Sequence, residues 1–168
     1  MAFAALGRRR ARRTAGFPII PVLLITLAML SVLLFLYNFV WSAGSAHAKE
    51  VVQQFYELEQ SGDFGSSWEL FHSQMKEKFP KETYIQQRAR ILMQDLGAKT
   101  FSFDVDGTEH LSAWSMGESS PAISDVYRLT VNQSFLSVFG ELVLRQEVYA
   151  TEENGDWKLL WSYHDPSK

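Results

Sequence analysis

Residues 97–107, GAKTFSFDVDG, mark the point where the chain changes period. Phe101, Phe103 and Val105 alternate there with Ser102, Asp104 and Asp106. Alternation of period two signals a strand with one buried face. Before Gly97 the apolar residues recur at helical spacing, and after it they do not. The fold class follows from that switch: helices first, then a run of strands.

Working back from Gly97, Tyr84, Ile85, Ala89, Leu92, Met93 and Leu96 form one helical stripe, and Pro80 suits the first turn of that helix. Upstream, Ser66 stands three residues before Glu69, a capping-box pattern that predicts a helix beginning there. Trp68, Leu70, Phe71 and Met75 are its expected buried residues. Between Ala48 and Gln60, the apolar Val51, Val52, Phe55, Tyr56 and Leu58 predict another amphipathic helix, stopped at Gly62.

Working forward, the first strand bends at Gly107 and continues through Leu111 to Trp114. A polar loop, Gly117 to Pro121, follows. Ile123, Asp125, Tyr127, Leu129 and Val131 share one face of a second strand. Leu142 to Thr151 is the third. Asn154-Gly155 between alternating segments is a hairpin signal. Beyond it, Trp157, Leu159, Trp161 and Tyr163 share a face of the fourth. The expectation is an α+β fold, three helices packed on a curved antiparallel meander of about four strands.

At the other end, residues 17–41 (FPIIPVLLITLAMLSVLLFLYNFVW) carry no charge and follow five arginines, Arg8, Arg9, Arg10, Arg12 and Arg13. A run of this length predicts a single transmembrane helix, with the basic arm 1–16 held cytoplasmic and the rest outside. Residues 42–47 read as a short tether, and 48–168 as the extracytoplasmic domain. A secretory signal cut after Ala48 is the competing reading, since Ala46-His47-Ala48 fits the cleavage pattern. The apolar run is longer than such signals use. Localisation at a bacterial cell membrane follows, with the bilayer as partner through residues 17–41.

The charge is divided. All 19 acidic residues lie after Trp41, where 11 of the 16 basic ones also lie. That part is acidic overall, which argues against nucleic acid as a partner. With no cysteine, disulfides, thiol nucleophiles and thiolate metal sites are excluded. His47, His72, His110 and His164 stand at no ligand spacing, so no metal and no cofactor is expected.

The opening helix AKEVVQQFYELEQSGDF, the SSWELF start of the next and the closing NGDWKLLWSY together resemble the NTF2-like superfamily, a cone of helices on a bent sheet. The chain is similar to the small NTF2-like modules of bacterial penicillin-binding and conjugation proteins. The resemblance implies a ligand pocket at the cone's mouth. Superfamily isomerases place a carboxylate base and hydroxyl donors there, and the candidates here are Tyr56, Tyr84, Asp104, Asp125, Tyr127 and Glu147. Asp125 and Tyr127, two apart on one strand face, are the catalytic candidates, as base and donor. Trp114, beside the 116–121 loop, is the candidate binding aromatic. Trp68, Trp157 and Trp161 read as core or pocket lining. No catalytic set converges, so the leading expectation is a non-catalytic binding or assembly module taking a protein partner or small ligand. The alternatives are a small isomerase or hydrolase and a structural homodimer.

Overall fold

The computed structural model describes residues 19–92, 100–138 and 140–163. The basic arm, Met93, Leu96, Gly97 and His164 lie outside the described residues. The chain divides into two compact units, Met1–Phe39 and Val40–Lys168. Among the described residues four helices precede four strands: α1 (Ile19–Ser61), α2 (Phe64–Glu69), α3 (Ser73–Lys78), α4 (Lys81–Arg90), β1 (Phe101–Trp114), β2 (Ile123–Ser137), β3 (Gly140–Glu153) and β4 (Asp156–Leu160).

The expectation of a transmembrane helix over 17–41 is corrected. Among the described residues, no helix is long and apolar enough to cross a membrane. The helix that contains this run extends on to Ser61. The later part of α1 carries Lys49, Glu50, Glu57 and Glu59. Within Ile20–Leu36 the large apolar side chains are exposed. Thr26 and Ser31 donate their hydroxyls to the carbonyls of Leu23 and Ala28, which leaves no polar face on that stretch.

In the second unit, residues 42–47, read as a tether, lie inside α1. Ala48, Val51, Val52, Phe55 and Tyr56 are buried, as their spacing predicts. The helix ends in a Schellman turn: Asp63 N–H donates to Leu58 O, and Gly62 N–H to Glu59 O. Gly62 takes the left-handed φ of +82° that this ending requires.

The segment read as one helix from Ser66 is two short ones. Asp63, not Ser66, caps the first, accepting from Ser66 N–H at 3.0 Å. Glu69 does not close a capping box; it pairs with Lys76 and Lys81. The break falls at Phe71, which bridges to Leu159, while His72 N–H donates to Leu159 O. Sheet pairing outcompetes helix continuation because it drives Phe71 fully into the core. Pro80 sits just before α4, near its predicted place.

The four strands form one antiparallel sheet in the order β1-β2-β3-β4. β1 gains one residue on β2 between Asp106 and Glu109, a bulge at which Gly107 adopts φ +63°. Asn154 and Gly155 both take positive φ, the type I′ hairpin their identity predicts. The core between helices and sheet is aromatic. Phe71 meets Phe55, Tyr84 and Trp161 at ring separations of 5.2, 5.1 and 5.0 Å.

His72 caps α3. Its Nδ1 accepts from Gln74 N–H at 3.2 Å, and its Nε2 lies 3.3 Å from Glu153. Capping needs an unprotonated Nδ1. Burial holds the imidazole below its ordinary value, outweighing the opposing pull of Glu153. A folded pKa below the unfolded 6.5 means the unfolded state takes up the proton first. Stability is therefore expected to fall as pH drops below about 6.5, and His72→Asn, which keeps a capping acceptor, should flatten that slope. Urea denaturation at a series of pH values checks it.

Candidate functional site

A cleft of about 790 Å³ opens in the second unit, beside the Asn154-Gly155 turn. Its walls come from the start of that unit's helix (Ala43, Gly44, His47), from β2 (Ser124, Asp125, Tyr127) and from the β3–β4 hairpin, which brings Thr151, Glu152 and Trp157. A second hollow of about 310 Å³ adjoins it across His47 and Trp157 and adds Glu50, Asp156 and Lys158.

The two catalytic candidates both line the larger cleft, but in different surroundings. Tyr127 is buried, with its ring against Trp157 at 5.6 Å and edge-on to His110 at 5.0 Å. Burial raises its phenol above the ordinary value, and the Asp125 charge adds to that. Asp125 takes a left-handed φ of +53°, which Asp tolerates better than most residues. Its carboxylate is 80% exposed and lies 3.3 Å from His110 Nε2.

The β1 bulge explains why His110 arrives here. Read from Phe101 at period two, His110 falls on the outer face with Asp104 and Asp106. The extra residue near Gly107 reverses the alternation, and His110 stands opposite Tyr127.

The close approach at Gly44 is a glycine requirement. A Cβ there would collide with the Tyr127 hydroxyl and lie 2.7 Å from its Cζ. His47, one helical turn on, stacks on Trp157 at 6.0 Å. Helix, strand and hairpin are thus joined through the rings of His47, Trp157, Tyr127 and His110.

The other candidates are dispersed. Asp104 accepts from Asn132 on the exposed face at 2.8 Å. Glu147 accepts from Tyr149 and faces Arg128. Tyr56 donates to Gln146 at 3.2 Å, inside the core. Trp114 is half-buried and stacks on Tyr149 at 4.0 Å. Trp68 donates to Phe79 O, with Lys76 and Lys81 over its ring. Trp161 lies among the core aromatics. Among the described residues, no group of three or more His, Asp or Glu is placed to hold a metal ion.

Tyr84 belongs to a polar cluster that the sequence reading does not identify. Glu59, with a fully buried side chain, accepts from Ser67 and Tyr84 at 2.6 and 2.7 Å through Oε1. Arg88 Nε donates to its Oε2 at 2.6 Å. Burial raises both Tyr84 and Tyr56 far above the usual phenol value. Every strong acceptor and donor in this cluster is committed, so it holds structure together and leaves no group for a substrate. The signal was present: Glu59 lies four residues after Phe55 and seven after Val52, on the apolar stripe itself.

No protein-family model matches the chain, and no curated protein matches it.

Removing one partner of a buried ion pair leaves the other uncompensated, at a cost of about 3–5 kcal/mol. Glu59→Ala is expected to destabilise the protein by about that much, and Glu59→Leu combined with Arg88→Met by clearly less. Denaturant midpoints of the three proteins measure the difference.

Proposed function

We propose that the second unit is a non-catalytic binding module whose cleft receives a positively charged group, an ammonium or guanidinium. One observation carries this reading: the cleft wall combines Asp125 and Glu152 with the rings of Tyr127 and Trp157, and among the described residues no lysine or arginine lines it. Aromatic faces attract cations, by about 0.5–2 kcal/mol each depending on desolvation. Nearby carboxylates add attraction and steer the approach. The acidity of this part of the chain acts in the same sense.

The reading as an isomerase or hydrolase has less support. Its base would be a solvated carboxylate, and the Thr151 hydroxyl in the cleft wall is engaged with the Ser124 and Asp125 carbonyls. Helices followed by a bent four-stranded meander support the likeness to NTF2-like modules. The exposed apolar stretch Ile20–Leu36 supports a lipid surface as the place where the chain works, because an uncovered patch of that size is not left to water.

The cation reading is tested by calorimetric titration of the full chain with tetramethylammonium, a lysine-rich peptide and, as the opposite charge, acetate. Saturable binding of a cationic probe is expected, weakened roughly 5- to 30-fold by Trp157→Leu, the equivalent of about 1–2 kcal/mol. Binding of the peptide but not of the small cation would identify a protein partner. Binding of neither, or equal binding of acetate, would overturn the reading. For the membrane, the chain is expected to float with phosphatidylcholine vesicles in a density gradient. Recovery with the soluble fraction would contradict attachment.

A further inference from the structure

β4 pairs only with Tyr149–Glu153 of β3. The rest of β3, from Gly140 to Val148, has β2 on one side and, among the described residues, no strand on the other. This open edge is apolar: Leu142, Val143 and Leu144 are 44, 62 and 47% exposed. It has no proline, and its register with β2 is unbroken from Tyr127↔Ala150 to Ser137↔Gly140. Two devices that usually stop an edge from pairing, proline and a bulge, are therefore missing.

The sequence along the edge, Glu141-Leu142-Val143-Leu144-Arg145, is self-complementary when read antiparallel. We propose that β3 pairs edge to edge with β3 of a second copy of this chain, about a two-fold axis at Val143. In that register, Glu141 of each copy stands opposite Arg145 of the other, Leu142 opposite Leu144, and Val143 opposite Val143. An isologous interface requires this kind of match of a surface with itself. Moving the axis to Leu144 places Glu141 opposite Glu147, a like-charge pair that disfavours that register. Moving it to Leu142 leaves Glu141 opposite Val143 and unpaired. Glu141 and Arg145 are both exposed, and neither has an ion-pair partner among the described residues, so both are free to meet a second copy.

The faces also agree. Leu142 and Leu144 stand opposite Phe135 and Gln133 of β2, so they share the face that carries the core. Pairing joins the cores of two copies through a leucine seam on that side. On the other side it places Val143 between two Glu141–Arg145 pairs, and the sheet grows from four strands to eight.

The chain contains no cysteine, so single cysteines report the contact directly. Directly opposed positions in an antiparallel pair have Cβ atoms about 4.5–5.5 Å apart. Full-length Val143→Cys is expected to form a covalent dimer with a short bismaleimide. Leu136→Cys, more exposed still but on β2, is expected not to. Adding Glu141→Arg to Val143→Cys should reduce the dimer at least fivefold, and adding Arg145→Glu as well should restore it. Equal crosslinking at 143 and 136, none at 143, or failure of the charge exchange to restore it would each overturn the proposal. Circular dichroism of each variant establishes that it is folded.

Discussion

The second unit depends on one buried carboxylate. Glu59 has no contact with water, so its charge must be met inside the protein, and it is met from three directions. Ser67 comes from α2, and Tyr84 and Arg88 come from α4. A charge in a medium of low polarity is costly unless its partners are placed well. The requirement therefore fixes where α2 and α4 sit against α1. The aromatic core then fills the space these helices enclose with the sheet, through Phe55, Phe71 and Trp161. Apolar packing of this kind tolerates many arrangements, whereas the Glu59 cluster tolerates few.

With the helices fixed, the sheet decides what is left open. β1 carries one extra residue near Gly107, and β4 is only five residues long. The bulge turns His110 onto the face of Tyr127. The short β4 leaves the hairpin turn and Trp157 at the rim of a cleft, and leaves the far part of β3 with β2 alone as a neighbouring strand among the described residues. The two surfaces singled out for binding, the cleft and the β3 edge, both follow from how far β4 extends along β3.

Much of this was legible in the residues. The change of period at Gly97, the alternation in β1 to β3 and the Asn154-Gly155 turn are local signals, and local signals survive folding. What was not legible was decided by partners distant in sequence. Phe71 reads as helical until Leu159 arrives to pair with it, and that pairing splits one expected helix into two. Asp125 and Tyr127 read as a matched pair because they share a strand face. Both do line the cleft, yet Asp125 is largely exposed and Tyr127 largely buried, and period alone carries no information on that. His110 comes to stand opposite Tyr127 because a single inserted residue near Gly107 reverses the later alternation of β1. The transmembrane helix expected over 17–41 rested on a 25-residue run. Among the described residues no helix is long and apolar enough to cross a membrane, and the helix that holds the run continues into a charged, amphipathic segment.

The central claim is that the cleft beside Tyr127 and Trp157 is a binding surface for a cationic group rather than a gap in the packing. The five tryptophan indole N–H groups provide separate reporters of where a ligand sits. The most direct measurement is a two-dimensional NMR titration of the full chain with tetramethylammonium, following those five signals. The account predicts a saturable shift of the Trp157 signal, while that of Trp68, bonded to the Phe79 carbonyl, stays still. A titration in which Trp157 does not move, or in which all five move together without saturating, would contradict it.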